Sequence, residues 1–341
     1  MPAQGAIGLD IGADTIIALE LTPHGDRPCL RQFAAAHTPE KKEELSEAIR
    51  NIFESQNFSS RKVRLSVGGP SVIVRYISLP HMTQKELGTS IVYEAEKYIP
   101  FKTDDVYLDY CVLGETPVTG GKKRVNVILA AAKKEKVKEL VELVQAANVQ
   151  AEIVDVCAVA ILNAFQYSQP DARTERVCQV DFGARCTTAN IIDEGIPVFT
   201  RDVSFGGEDI MNALVKGLNV SVDEANRIVR EVGWSSAQWK EAVAKPFDHI
   251  TSEVRLSVDY FERQLNEEKK IQKVYIHGGV SKIPGFQQAL EKELGYPVQH
   301  VDPLLRLEVA ENVDKALLSS YSGQYMNALG LALHGSAYSV R

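Results

Sequence analysis

Two segments of the chain share one pattern of hydrophobic and polar positions. In the segment 6–19, an apolar strand runs into an Asp-x-Gly turn and a second apolar strand follows, and the segment 177–190 repeats this plan. Apolar strands on both sides of a turn signal are typical of a β-hairpin. The two aspartates, Asp10 and Asp181, lie about half the chain apart. The repeat therefore predicts two duplicated domains that face each other.

Between the two hairpins, the pattern predicts an inserted α/β unit. A helix is expected at 83–98, where Thr83 and Glu86 have the spacing of a capping box. Apolar residues at helical spacing predict flanking helices at 40–53 and 135–147. The strands of the unit are expected at 63–67, 72–79, 106–113 and 124–132, with a turn at Gly120-Gly121 between the last two.

The second half of the chain predicts a helical region between its hairpin and a late strand. The strand 273–277 runs into a Gly278-Gly279 turn and a helix at 284–294, and a last buried helix is expected around 325–334. Apolar residues on one face predict further helices after the loop 205–209, at 210–217, 222–232, 236–244 and 248–269.

These elements predict three parts of the chain. The first domain comprises 1–62 and 135–172, the inserted subdomain comprises 63–134, and the second domain comprises 173–341, with a helical subdomain at about 206–270. Strands and helices that alternate in this way predict an α/β fold.

Composition and charge narrow the class of protein. The chain has 45% hydrophobic and 24% charged residues, which is ordinary for a globular protein, and its net charge of −7 argues against a protein that mainly binds nucleic acid. Its five cysteines form no C-x-x-C pair, so a reducing compartment is expected. No signal peptide is visible, and the uncharged stretch 316–340 holds too many polar residues for a membrane span. We expect a cytoplasmic chain that reaches a membrane only through a partner.

Three loops of small residues, at 10–15, 181–188 and 278–281, predict a nucleotide site. Two glycine-containing hairpins can hold a triphosphate through main-chain N–H groups, and Asp10 and Asp181 would hold a hydrated magnesium ion. A Gly278-Gly279 turn would lie against adenine or ribose. The further candidate contacts are Gly12, Ala13, Asp14, Thr15, Gly183, Thr187, Thr188 and Ser281.

Simpler roles exist for several of these residues. Asp10 is alternatively only a turn former, and His277 is expected to be a packed, hydrogen-bonded histidine. Asp155 follows a strand and is the candidate to position an attacking water, with a solvated or capping aspartate as the alternative.

The paired hairpins and the late Gly-Gly loop resemble the actin/Hsp70/sugar-kinase superfamily. Within it, the run Glu94–Phe101 (EAEKYIPF), followed by Asp105–Tyr110, resembles the family of PilM, the cytoplasmic actin-like protein of type IV pilus machines. The segments 152–156, 205–209 and 325–335 also match the pattern of that family, so the resemblance covers nearly the whole chain.

The resemblance implies an actin-like fold of duplicated ribonuclease-H-type domains around a cleft, with an inserted small α/β subdomain of the FtsA type. It implies ATP and magnesium as ligands, with Gly207 and Glu208 added to the site. It also implies binding of the cytosolic N-terminal segment of a PilN-like membrane protein, besides other proteins of a pilus or secretion platform. The implied partner contacts are Tyr98, Ile99, Pro100 and Phe101, and for the pair Pro100-Phe101 a packing corner is the alternative.

The sequence departs from the pattern of that family at three positions. Ile17 stands where the first hairpin usually carries a lysine, and Asn226 and Val229 replace a glutamate and a lysine on a later helix. Loss of one cation beside a polyphosphate removes a contact of roughly 1.5–3 kcal/mol. We therefore expect weakened ATP binding and at most a very slow ATPase. The leading hypothesis is a scaffold, and the alternatives are a small-molecule kinase of the same superfamily and an FtsA-like filament protein.

Overall fold

The computed structural model describes residues 5–117, 123–264 and 270–336. Its strands are named in chain order. They are β1 Ala6–Ile11, β2 Thr15–His24, β3 Arg27–His37, β4 Lys62–Val67, β5 Val72–Pro80, β6 Val106–Pro117, β7 Lys123–Lys133, β8 Gln150–Val156, β9 Arg176–Phe182, β10 Thr187–Asp193, β11 Ile196–Val203, β12 Lys273–His277, β13 Val298–His300 and β14 Glu308–Val309.

The helices lie between these strands and on the faces of the sheets. They are α1 Leu45–Ser55, α2 Gln84–Ala95, α3 Lys134–Ala146, α4 Cys157–Ser168, α5 Gly207–Leu218, α6 Val222–Glu231, α7 Ala237–Gln264, α8 Phe286–Leu294, α9 Lys315–Ser320 and α10 Met326–Leu333.

Both predicted hairpins are confirmed, and each begins one of the two larger sheets. The first sheet has the order β14-β3-β2-β1-β4-β8, with β1 and β2 antiparallel and β4 and β8 parallel. The second has the order β11-β10-β9-β12-β13, again with an antiparallel hairpin beside parallel strands. The two sheets therefore repeat the same arrangement of hairpin and parallel strands.

The inserted unit contains a sheet of the order β5-β7-β6, with α2 packed on it. The assignment of the strand 63–67 to this unit is wrong, because β4 pairs with β1 and β8 in the first sheet. The sheet therefore has three of the four strands expected for the unit within the described residues. The predicted Gly120-Gly121 turn lies outside the described residues.

The helices of the second half differ from the prediction at one point. The stretches 236–244 and 248–269 belong to one helix, α7, which continues through Pro246. One face of this helix packs Trp239, Val243, Ile250 and Val254 into the core. Tertiary packing along that face outweighs the loss of one main-chain hydrogen bond at proline. The predicted residues beyond 264 lie outside the described part of the chain.

The end of the described chain returns to the first sheet. β14 pairs with β3, and α10 packs against α4 and β1, although both elements fall within the predicted second domain. A Cβ atom on Gly330 would lie 1.7 Å from the carbonyl oxygen of Ala160, and one on Gly8 would lie 1.9 Å from that of Ala328. Only glycine allows approaches this close. Assignment of the whole segment after residue 173 to the second domain is therefore wrong for these two elements.

Within the described residues, no helix is both long enough and apolar enough to cross a membrane.

Candidate functional site

The turns of the two hairpins have the same main-chain geometry. The N–H of Gly12 donates to the carbonyl of Thr15 at 2.9 Å, and the N–H of Gly183 donates to that of Cys186 at 3.1 Å. A Cβ atom on either glycine would lie 2.8 Å from the same carbonyl oxygen, so both turns require glycine.

The tips of both turns present main-chain donors. The N–H groups of Ala13 and Asp14, and those of Ala184 and Arg185, donate no hydrogen bond to another described residue. Consecutive free N–H groups of this kind form an anion-binding concavity. Each hairpin therefore offers a pair of donors to a phosphate group.

Asp10 is held by the last helix of the described chain. Its Oδ1 accepts a hydrogen bond from Asn327 Nδ2 at 2.8 Å, and the same amide group donates to the hydroxyl of Ser66. Burial raises the pKa of Asp10 to about 7, with the bond from Asn327 lowering it and the charge of Asp181 raising it. The two hairpins therefore bring their aspartates close enough for the charges to interact.

Asp181 lies beside the late glycine loop. His277 Nδ1 is 3.2 Å from Asp181 Oδ1, and a Cβ atom on Gly278, whose φ is +87°, would collide with that oxygen. Gly278 is therefore required by the packing of the protein itself. A Cβ atom on Gly279 would meet its nearest neighbour, the Gln324 side chain, only at 3.8 Å, which leaves room beside this residue.

Three of the predicted hydroxyl contacts are already used within the protein. Thr187 donates to the carbonyl of Phe205 at 2.9 Å, and Thr188 donates to Asp202 at 2.7 Å. Ser281 donates to the carbonyl of Gly278 at 2.8 Å. The hydroxyl of Thr15 makes no hydrogen bond with another described residue, so it remains available to a ligand.

The first turn of α5 is bound to the second hairpin. The N–H of Gly207 donates to the carbonyl of Gly183 at 3.0 Å, and that of Glu208 donates to the carbonyl of Ala184 at 2.8 Å. Arg185 Nε also donates to Glu208 Oε1 at 2.7 Å, and both side chains are exposed. These bonds therefore bring Gly207 and Glu208 to the border of the cleft.

Asp155 has partners for both carboxylate oxygens. Its Oδ2 lies 2.7 Å from His334 Nδ1, and its Oδ1 accepts from the N–H of Val156 at 2.7 Å. The hydrogen bond to Asp155 raises the pKa of His334. These contacts favour a structural role, and the positioning of water by Asp155 stays a prediction.

Several polar residues of the cleft have no counterpart among the residues chosen from the sequence. One of them is Asp202, which accepts a hydrogen bond from Thr188. Burial raises the pKa of Asp202, and the nearby charge of Asp181 also raises it. Another is Cys157, at the start of α4. Burial raises the pKa of its thiol well above the ordinary value, and the negative charges of Asp10 and Asp181 raise it further. Asn327 could have been identified from the sequence, because it is a polar residue within an otherwise apolar helix.

The three departures from the family pattern leave no cation in their places. Ile17 pairs with Asp10 across the hairpin and is completely buried in the core. Near Asn226, Arg227 is paired with Glu224, and Arg230 Nε donates to the carbonyl of Asn226. Both arginines therefore have partners on their own helix.

The predicted partner contacts are only partly at the surface. Ile99 is 6% exposed and packs in the core of the inserted unit, so a surface contact is wrong for it. Phe101 is half-buried, with Lys133 Nζ 4.8 Å from its ring centre. Tyr98 is 41% exposed and Pro100 is exposed. The roles of Tyr98, Pro100 and Phe101 remain predictions.

A groove lies between the inserted sheet and the first domain. Tyr107 on β6 and Val137 and Val141 on α3 supply the apolar part of the lining of a cavity of about 420 Å³. The rest of the lining is polar, with charges of both signs, and consists of Lys134, Glu135, Lys138, Glu142 and Gln145. β6 is an edge strand of its sheet, so the main-chain groups on one of its sides have no strand partner within the described residues.

The chain is similar to known proteins along nearly its whole length. A family model described as type IV pilus assembly protein PilM matches residues 8–336. A solved PilM-PilN type IV pilus biogenesis complex is 27% identical, with a TM-score of 0.84, and the match covers 97% of this chain and 98% of that chain.

Two further proteins are more distant. The ethanolamine utilization protein EutJ from Carboxydothermus hydrogenoformans is 14% identical with a TM-score of 0.57, covering 98% of this chain and 91% of that chain, which shows the fold alone. The cell division protein FtsA of Bacillus subtilis (strain 168) is 26% identical over 153 residues, which are 42% of this chain and 34% of that protein. The match therefore spans about a third of the length of this curated relative. Together these likenesses confirm the predicted actin-like α/β fold.

Proposed function

Because the chain belongs to the PilM family of type IV pilus assembly proteins, we propose that it serves this machine as an actin-like scaffold that binds a PilN-like membrane protein. The proposed ligand is the short cytosolic N-terminal segment of that protein. The similar solved structure is a complex of PilM with PilN, which supports the choice of partner.

The observation that carries the proposal is the groove between β6 and α3. An extended peptide adds to the edge of a sheet through main-chain hydrogen bonds and places alternate side chains in apolar pockets. The free edge of β6 supplies the first feature, and Tyr107, Val137 and Val141 supply the second. The groove joins the inserted unit, which also carries the predicted partner contacts Tyr98, Pro100 and Phe101, to the first domain.

This partner gives the chain a place at the membrane. We place it in the cytoplasm, peripheral to the inner membrane, held there by the PilN-like protein and by other proteins of the pilus or secretion platform. The net charge of −7 favours attachment through a protein over direct binding to an anionic lipid surface.

The cleft is proposed to bind MgATP weakly. The free N–H groups of the two hairpin turns suit the phosphate oxygens, and Asp10 and Asp181 suit a magnesium ion that keeps its waters. No group of three or more His, Cys, Asp or Glu side chains within the described residues is arranged to hold a metal directly. The buried Ile17 in place of a lysine supports low affinity, and Asp155 bound to His334 argues against the general base that a kinase would need.

A fluorescence titration with the labelled N-terminal peptide of the PilN-like protein tests the scaffold function. We expect the full chain to bind the peptide, and Tyr107→Ala to weaken binding about thirtyfold, because a buried aromatic anchor contributes about 2 kcal/mol or more. Tyr107 is 57% exposed in the free chain, so the substitution should leave the fold intact.

Tyr260→Ala is the matched control, because Tyr260 is 52% exposed and lies on α7 in the other half. It should leave the peptide affinity unchanged. Equal affinities of the wild type and the Tyr107→Ala variant would refute the groove, and failure of the wild type to bind the peptide would refute the choice of partner.

A further inference from the structure

The second sheet ends in an exposed edge that its counterpart in the first sheet does not have. In the first sheet, β3 follows the hairpin and is paired with β14. In the second sheet, β11 follows the hairpin in the same way, but no strand pairs with its outer edge within the described residues. An unpaired edge of eight residues offers its main-chain groups to a further strand.

A groove runs along this edge, between β11 and α7. It has a volume of about 530 Å³. Phe199, Leu256 and Tyr260 supply the apolar part of its lining, and the ring centres of Phe199 and Tyr260 are 5.5 Å apart. The charged part of the lining consists of Arg201, Asp259 and Arg263.

α7 carries large apolar side chains on both sides. Val254 and Val258 pack into the core of the second half. Leu256 and Tyr260 lie one turn apart on the side of the groove, and they are 51% and 52% exposed. Neighbouring large apolar side chains that are exposed beside an unpaired strand edge are typical of a protein interface.

Two charged residues of the groove have no partner among the described residues. Arg201 forms an ion pair with Glu253. Neither Asp259 nor Arg263 has a hydrogen bond or an ion pair with another described residue. These two residues lie one turn apart on α7, on either side of Tyr260 in sequence, and carry opposite charges. We refer to them as the free charges.

We propose that this groove binds a second copy of the chain in a dimer with two-fold symmetry. In such an interface, if residue i of one copy contacts residue j of the other, then j also contacts i. Asp259 would meet Arg263 of the second copy, and Arg263 would meet Asp259 of the second copy. The two β11 strands would run antiparallel across the axis and pair their free edges. Tyr260 would pack near the axis.

The free charges favour a second copy over an unrelated peptide. A second copy supplies both charges at the matching spacing, together with a strand edge of the same length. A peptide with one kind of charge would leave the other free charge unpaired. The chain as a whole has a net charge of −7, which repels a second copy, whereas the free charges cancel. Two copies can therefore approach each other at this surface with little repulsion.

Sedimentation velocity of the full chain at about 1–200 µM tests the dimer. We expect a monomer–dimer equilibrium with a dissociation constant of about 10–100 µM, because the groove is small compared with a standard interface. Tyr260→Ala should raise this constant about tenfold or more, since it removes an aromatic contact near the axis. Tyr107→Ala is the matched control, because Tyr107 is 57% exposed and lies on the other unpaired edge, β6. It should leave the dimer unchanged.

Exchange of the free charges tests the symmetry. Asp259→Arg and Arg263→Asp each place like charges opposite one another, so either variant alone should raise the dissociation constant about tenfold or more. In an equimolar mixture, one variant carries two positive charges at these positions and the other carries two negative charges. The mixture should therefore form a heterodimer with an affinity within about threefold of that of the wild type. Pairing in the mixture also shows that both variants are folded.

The control for net charge is an exposed pair with the same spacing on α3. Glu142→Lys and Lys138→Glu change the net charge by the same amounts as the two test variants, and both side chains are well exposed. Neither substitution should change the dissociation constant. An effect as large as that of Asp259→Arg or Arg263→Asp would show that net charge governs the association, and it would overturn the proposal.

Three further outcomes would overturn the dimer. The first is a wild type that stays monomeric at about 200 µM. The second is a dimer that withstands Tyr260→Ala or dissociates in Tyr107→Ala, because its interface would then lie elsewhere. The third is a mixture of the two charge variants that stays monomeric. All of these measurements are made without the PilN-like peptide, so none of them decides the proposed function.

Discussion

The two hairpin turns have the same main chain but support their aspartates differently. Asp10 receives a hydrogen bond from Asn327 on α10, an element more than three hundred residues away in sequence. Asp181 lies beside His277 at the end of the neighbouring strand, and Gly278 follows at once. A duplicated turn can therefore place two carboxylates at one cleft while each half surrounds its own carboxylate with unrelated groups.

The backbone of each turn is determined by neighbouring residues, whereas the protonation of its aspartate is determined by tertiary contacts. Gly12 and Gly183 are required by contacts within four residues, so the sequence of each turn determines its backbone. The pKa of Asp10 depends on burial and on Asn327 and Asp181, none of which is local. The electrostatic properties of the cleft therefore depend on the packing of the halves. Substitutions at the residues that contact the two aspartates should change the properties of Asp10 and Asp181 unequally.

The largest effect is expected for Gly330→Ala. The new Cβ atom would displace α10 from α4 and draw Asn327 away from Asp10, with little direct effect on the second hairpin. Overpacking at such a contact costs about 3 kcal/mol. Urea unfolding followed by tryptophan fluorescence measures it. Gly279→Ala is the control, and it should change the stability by less than about 0.5 kcal/mol because its nearest neighbour would lie 3.8 Å away. Equal costs at the two positions would contradict the close approach of α10.

The second prediction concerns the pH dependence of stability. The folded chain keeps the proton of Asp10 up to a pKa of about 7, whereas the unfolded chain releases it near 3.8. The contribution of Asp10 is therefore complete below the unfolded pKa and is lost as the pH rises through 7. Between pH 5 and pH 8, the wild type should lose about 2 kcal/mol of unfolding free energy that Asp10→Asn does not lose. Parallel pH profiles of the two proteins would show that Asp10 titrates normally.

A third, smaller effect is a change in the pKa of Asp10, which should have opposite signs when Asn327 and when Asp181 is substituted. Asn327→Leu removes a hydrogen bond that favours the charged form, so it should raise the pKa of Asp10. Asp181→Asn removes a nearby negative charge, so it should lower it. Each change should be on the order of one pH unit in the titration midpoint, measured by carboxyl ¹³C NMR. An unchanged midpoint in both variants would mean that burial alone governs the pKa of Asp10.

The smallest effects are expected at the exposed tips of the turns. Asp14 and Arg185 occupy equivalent positions and carry opposite charges. Asp14→Ala should strengthen MgATP binding and Arg185→Ala should weaken it, each about two- to fivefold, because exposed charges contribute little and Arg185 is already paired with Glu208. Calorimetry at low and high salt provides the measurement, and the difference should shrink at high salt. Changes of the same sign would place the phosphate groups away from these tips.

Local patterns predicted the elements that depend on neighbouring residues. The two hairpins follow from alternation around Asp10 and Asp181, and the helix start at Thr83 has the capping box that its sequence indicates. The turn glycines belong to the same class, because each avoids a contact within its own turn. The neighbouring sequence is therefore sufficient to predict these features.

Distant partners were not predictable in the same way. The strand β4 is followed directly by β5, yet it pairs with β1 and β8, and no pattern within 62–67 distinguishes the two outcomes. Asp202 and Asn327 reach the cleft only through strand pairing and helix packing. The continuation of α7 through Pro246 likewise depends on the buried face of that helix. In each case tertiary contacts decide what the local sequence leaves open.

Because α10 packs against the first sheet, this sheet can be completed only late in translation. Asp10 and its partner Asn327 are 317 residues apart. At about 5–20 residues per second, a ribosome needs roughly 15–60 s to make the intervening chain. During that time β1 lacks the helix that packs on it, and the edge of β3 lacks β14. The half of the protein that is translated first is thus among the last to be completed. We therefore expect chaperones to bind the growing chain.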